Sequence, residues 1–127
     1  PEPVDRALVD APCSNLGVLA RRPDVRWQRQ EADIAQLAAL QLALLRATAR
    51  TVRPGGTLVY STCTLEPEEN EQVIHRFLGE HPEYRLASLH GLVPEELLSE
   101  RTAGWLQLFP DEHGTDGMFI ARLERSR

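Results

Sequence analysis

Long apolar runs are missing from this chain. Nothing approaches the ~18 to 20 consecutive apolar residues of a membrane-spanning helix, and no basic-then-apolar leader opens it. The default expectation is a protein of the reducing cytoplasm, away from the membrane. Cysteine is scarce as well: Cys13 and Cys63 are the only two, which excludes a disulfide framework. There is no C-x-x-C, and His75, His81, His90 and His113 fall at no ligand spacing around either thiol, so no metal is expected. A basic surplus is also lacking. Fourteen Lys plus Arg stand against 19 Asp plus Glu, a net of −5, which argues against a general nucleic-acid footprint but not a local one. A G-x-G phosphate-binding turn occurs nowhere, since Gly55-Gly56 follows a helix pattern and reads as a turn.

What is present alternates between strand and helix. The 127 residues suffice for one domain with a core, and 42% hydrophobic with 26% charged content is ordinary for a globular chain. "RALV" at 6–9 reads as a buried strand ending near Asp10. Residues 11–30, with Pro12, Gly17, Pro23 and scattered arginines, read as loop. The stripe Ile34, Leu37, Ala38, Gln41, Leu44, Leu45, Thr48 and Val52 predicts a helix from about Ala32 to Val52, stopped by "RPGG" at 53–56. "TLVYS" at 57–61 is a second strand. Residues 66–81 form a second helix with Val73, Ile74, Phe77 and Leu78 inward, and with Pro67 and acids at its start. Glu68 and Glu69 are read as completing that start, and Asn70 as a pocket or capping residue. Residues 84–89 and 117–124 read as two closing strands, separated by 27 residues.

This order predicts an α/β fold with a parallel sheet and crossover helices. Ligands collect beyond the carboxyl ends of such strands. Both cysteines stand just past a strand end, so thiols 50 residues apart are expected to face one crevice. Taken singly, each cysteine reads first as a small buried hydrophobe, and it is their shared place at strand ends that points to function.

Four stretches carry a resemblance: "DAPCS" with its following glycine, "RRPDVRW", "GGTLVYSTCTLEPEEN" and "DGMFIARL". Together they resemble the catalytic domain of the Sun family of RNA cytosine-5 methyltransferases, over almost the whole chain. Two departures are "SNLG" where the family more usually has Ser-Gly-Thr-Gly, and Met118 where phenylalanine is commoner. The resemblance implies the carboxyl-terminal half of a Rossmann-like class I methyltransferase fold, with a mainly parallel sheet and an antiparallel last strand. It implies S-adenosyl-L-methionine as cofactor and RNA as partner, with 16S ribosomal RNA the favoured target and transfer RNA left open.

It also implies roles. Cys63 of the Thr-Cys motif is the nucleophile toward carbon 6 of cytosine, and Cys13 of the Pro-Cys motif assists product release. In DNA-modifying relatives the Pro-Cys thiol is the nucleophile, so the assignment is a choice between the two. Asp10 is a catalytic residue at the junction of cofactor and base, contacting the methyl donor and helping to polarise the pyrimidine, and Pro12 lies with it on the cofactor side. Arg21, Arg22, Arg26 and Trp27 read either as an RNA contact combining phosphate binding with base stacking, or as a solvated arginine loop. A helix start after Cys63 would favour its thiolate, and Glu66, Glu68 and Glu69 would oppose it. By the family's pattern the first strands, the cofactor glycines and an RNA-binding region precede residue 1. Residues 1–127 are therefore expected to be a partial catalytic domain, inactive alone and prone to self-association at an uncovered sheet edge. The competing reading is a non-catalytic α/β binding or scaffold domain that keeps the motifs without the chemistry.

Overall fold

A computed structural model describes residues 2–14, 31–97, 104–110 and 116–127. Their order is β1 (Val4–Asp10), α1 (Glu31–Ala49), β2 (Val52–Thr62), a 3-10 turn (Pro67–Glu69), α2 (Glu71–Glu80), β3 (Tyr84–Leu86), a second 3-10 turn (Glu95–Leu97), β4 (Trp105–Leu108) and β5 (Met118–Arg125). The strands make one sheet in the order β1-β2-β5-β3, with β4 sharing the β3 side of β5. β1 and β2 are parallel, while β2, β3 and β4 all run antiparallel to β5. Four strands thus point one way and only the last is reversed. Apart from β4, which was not foreseen, that is the arrangement the sequence led us to expect.

The core lies on one face. Leu58 and Tyr60 of β2 join Phe119, Ala121 and Leu123 of β5, and Leu42 and Leu45 of α1 meet Val73, Ile74 and Phe77 of α2. Alternation along β2 and β5 puts these residues inward and Val59, Ile120 and Arg122 on the opposite, half-exposed face. Leu8, in register with Val59, stands on that open face at 66% exposure. The reading of residues 6–9 as a buried strand therefore holds for Val9 but not for Leu8. Hydrophobicity alone does not tell a strand covered on both faces from one covered on a single face.

Boundaries also moved. α1 ends at Ala49, and Val52 begins β2 instead of closing the helix. "RPGG" is not the helix stop but part of a long β2, where the pairing with β1 shifts between Val4 and Arg6. Gly55 has φ +84°, and a Cβ on Gly56 would meet Val52 Cγ1 at 2.6 Å and Asp5 O at 2.8 Å, so both glycines serve the irregularity. The second helix begins with the 3-10 turn and becomes α-helical only at Glu71. β4 lies in the 27-residue interval between the two expected closing strands, where no element was assigned: its four residues, Trp-Leu-Gln-Leu, are too short to announce a strand.

Candidate active site

β1 and β2 end side by side, because Asp10 pairs with Ser61 and the Ala11 amide donates to the Ser61 carbonyl at 2.9 Å. The residues beyond each strand end therefore meet. Cys13 Sγ lies 3.1 Å from Cys63 Sγ, and the Cys63 amide approaches Cys13 Sγ at 3.4 Å. Both are reduced thiols, since a disulfide would bring the sulfurs to ~2.05 Å. Cys13 is 4% exposed and Cys63 only partly buried, so Cys63 is the sulfur more open to an incoming group.

The thiol of Cys63 is held well above the ordinary cysteine range. The contact with Cys13 is the main cause, followed by burial and the negative charge of Asp10. The expected helix-start stabilisation of a thiolate does not prevail, because residues 64–66 separate Cys63 from the 3-10 turn. Asp10 itself is exposed at the mouth and accepts a hydrogen bond from Ser61 Oγ at 3.0 Å through Oδ1. Pro12 is exposed, and its carbonyl accepts from Gln41 Nε2 at 3.0 Å. Arg21, Arg22, Arg26 and Trp27 lie outside the described residues.

Behind the thiols lies a polar cluster the sequence did not disclose. Glu69, read as a helix-start acid, is fully buried. Its carboxylate accepts from the Ser14 amide (2.8 Å), Ser14 Oγ (2.6 Å), Thr64 Oγ1 (2.8 Å) and Gln41 Nε2 (3.1 Å). Tyr60 Oη donates to the Glu69 carbonyl at 2.7 Å, and burial with the nearby carboxylate lifts the phenol's pKa. Asn70, also fully buried, accepts from Thr62 Oγ1 at 2.5 Å and donates to the Thr64 carbonyl and to Gln107 Oε1, both at 2.9 Å. Asn70 is therefore a brace across the Cys63 loop, and it makes no side-chain cap. One signal was available: Gln41 stands in the middle of a mainly apolar stripe, and a glutamine facing a core needs partners.

A sheet of like-directed strands with one reversed last strand, carrying its polar groups beyond the carboxyl ends, defines the class I methyltransferase type of α/β fold. Solved structures of that type match it. NSun6 from Pyrococcus horikoshii, solved with SFG, an S-adenosylmethionine analogue, is 32% identical with a TM-score of 0.83 over 99% of this chain and 31% of that one. A methyltransferase homolog protein from Pyrococcus horikoshii is 37% identical with a TM-score of 0.77, over 98% and 40%. The chain belongs to the 16S rRNA methyltransferase RsmB/F family, whose model matches residues 2–124. Among curated relatives, the probable ribosomal RNA small subunit methyltransferase B of Synechocystis is 50% identical over 98% of the chain. The protein of that description in Bacillus subtilis is 46% identical over 98%. This chain spans 28% of the length of each.

Proposed function

We propose that these residues form the thiol-bearing part of the catalytic domain of an S-adenosylmethionine-dependent methyltransferase acting on carbon 5 of a cytosine in 16S ribosomal RNA. The observation that carries the reading is the meeting of two reduced thiols, 3.1 Å apart, beyond the ends of two neighbouring parallel strands. A merely structural cysteine pair has no need of a half-open mouth with an exposed carboxylate beside it.

The chemistry follows from the ring. Carbon 5 of cytosine is a poor nucleophile until a thiolate adds to carbon 6 and makes the ring enamine-like. Cys63, the more accessible sulfur, makes that bond as its thiolate. S-adenosylmethionine, when bound, supplies the methyl group that carbon 5 takes up. A base then removes the carbon-5 proton, the bond from carbon 6 to sulfur breaks, and Cys13 assists this release. Asp10 and Pro12 fit the donor side of the site: an exposed carboxylate suits an electron-poor or cationic group, and Pro12 lies next to the thiol loop. Arg21, Arg22, Arg26 and Trp27 are proposed as RNA contacts. Residues 1–127 hold no glycine-rich turn, so this stretch alone is expected to be inactive and to bind the donor weakly. Micromolar binding in calorimetry would contradict that.

The test is made in the intact enzyme. Cys63→Ala abolishes turnover and the covalent RNA adduct, whereas Cys13→Ala keeps the adduct and accumulates it. A denaturant-stable adduct formed by Cys63→Ala sinks the assignment of the nucleophile.

A further inference from the structure

Glu69 touches neither sulfur, yet it binds the residue after each of them: Ser14 follows Cys13, and Thr64 follows Cys63. The two hydroxyls also lie 2.9 Å from each other, so the three side chains close a triangle directly behind the thiol pair. Gln41, from the middle of α1, ties the same carboxylate to the Pro12 carbonyl on the other side of Cys13. An ionised carboxyl group offers about four acceptor sites, and four donors occupy them here. Among the described residues no cation pairs with it. Burying a carboxylate with neutral partners alone is a weak way to stabilise a fold, because desolvation opposes the gain and a well-packed apolar group often does as well. Such a group is better explained by the geometry it imposes.

We infer that Glu69 is a positioning residue that clamps the Cys13 and Cys63 loops together and sets the spacing of their sulfurs. The inference rests on the methyltransferase reading for its purpose, since the two thiols must act on one base in turn. It does not rest on that reading for its measurement. The carboxylate reaches both loops from the 3-10 turn (Pro67–Glu69), so one side chain fixes the ends of two strands. Gln41 adds α1 as a third anchor, and its own Oε1 is buried with no partner among the described residues, a cost consistent with its amide being committed to the clamp.

The test uses Glu69→Gln in the intact enzyme, because the amide keeps the shape and replaces one acceptor oxygen by a donor facing other donors. The probe is phenylarsine oxide, a trivalent arsenical that binds two adjacent thiols at once, read as protection of the Cys13 and Cys63 peptides from alkylation in mass mapping. Loss of the clamp lowers the effective concentration of one thiol at the other, so the arsenical binds at least about tenfold more weakly. The pH midpoint for alkylating Cys63 falls in parallel, since its contact with Cys13 is what holds it high. Tyr84→Phe is the control. It removes a buried 2.8 Å hydrogen bond to the Ala49 carbonyl without touching either loop, and should lower melting temperature while leaving both thiol readings unchanged. A Glu69→Gln enzyme that melts like wild type and keeps the wild-type arsenical affinity and alkylation midpoint overturns the inference. If Glu69→Gln does not fold, the double variant Ser14→Ala with Thr64→Val removes the hydroxyl arms in its place, and wild-type arsenical affinity there overturns it equally. None of these readings needs RNA. Failure of the wild-type enzyme to form an RNA adduct would refute the proposed chemistry and leave the spacing result standing.

Discussion

The two strand-to-loop junctions look alike in sequence and differ in the fold. β1 delivers Cys13 and β2 delivers Cys63, each followed by a hydroxyl residue that reaches Glu69. β2 is central, flanked by β1 and β5, whereas β1 has one strand neighbour among the described residues. Yet the thiol on the edge strand is the buried one, and the thiol on the central strand is partly open. A strand's place in the sheet sets how well its backbone is satisfied. What lies beyond its end sets how accessible its loop is, and the two are independent.

The largest effect that sharpens this comparison is on stability. Leu58→Ala, in the fully buried centre of β2, should cost about 2–5 kcal/mol through lost burial and a residual cavity. Leu8→Ala on β1 should cost under about 0.5 kcal/mol in the isolated 127-residue chain. Urea melts of both decide it, and equal losses would mean that β1 is covered after all.

Gly56→Ala comes next, because it strikes where the strands dock. Its Cβ would press on the Asp5 carbonyl of β1 and on Val52 of β2, so about 1–3 kcal/mol should be lost. Gly79→Ala, whose Cβ meets nothing within 4 Å inside α2, should instead gain about 0.5–1 kcal/mol. Thermal melts compare the two directly.

The thiols give a difference in rate. With Cys13 replaced by alanine, Cys63 loses the contact that is the main cause of its raised pKa, and its alkylation at pH 8 should quicken. The sign for stability follows. A folded pKa raised above the unfolded value near ~8.5 means that the folded state keeps a proton the unfolded chain gives up. That contribution is complete below pH ~8.5 and is lost progressively as pH rises above it. Wild type should therefore lose more stability than Cys63→Ala between neutral and alkaline pH in denaturant titrations.

The smallest effect is on association. The isolated chain should self-associate through β1, where Val4 and Leu8 are exposed, and Leu8→Lys should restore a monomer in light scattering. A monomeric wild-type chain at high concentration would break this expectation.

Much of this was legible in the order of residues. Apolar runs bounded by proline and glycine placed the two thiol-bearing strands, and a period near 3.6 placed both helices, because burial of one stripe dictates that spacing. The two motif words set a thiol past each strand end. The sequence could not report that "RPGG" belongs to the strand and not to the helix end, since the glycines serve a strand irregularity that exists only when β1 lies alongside. Nor could it reveal β4, whose four residues owe their strand state to pairing with β5.

The sequence by itself determined which elements form and that thiols terminate two of them, because propensity and patterning act over neighbouring residues. Tertiary structure alone decided the 3.1 Å between sulfurs, the partial opening of Cys63 and the burial of Glu69. Glu68 and Glu69 are the same residue type one position apart, one exposed and one saturated with four donors from three segments, two of them distant in sequence. Only closure of the chain brings Ser14, Gln41 and Thr64 to a single carboxylate, and no local pattern encodes a contact across 55 residues.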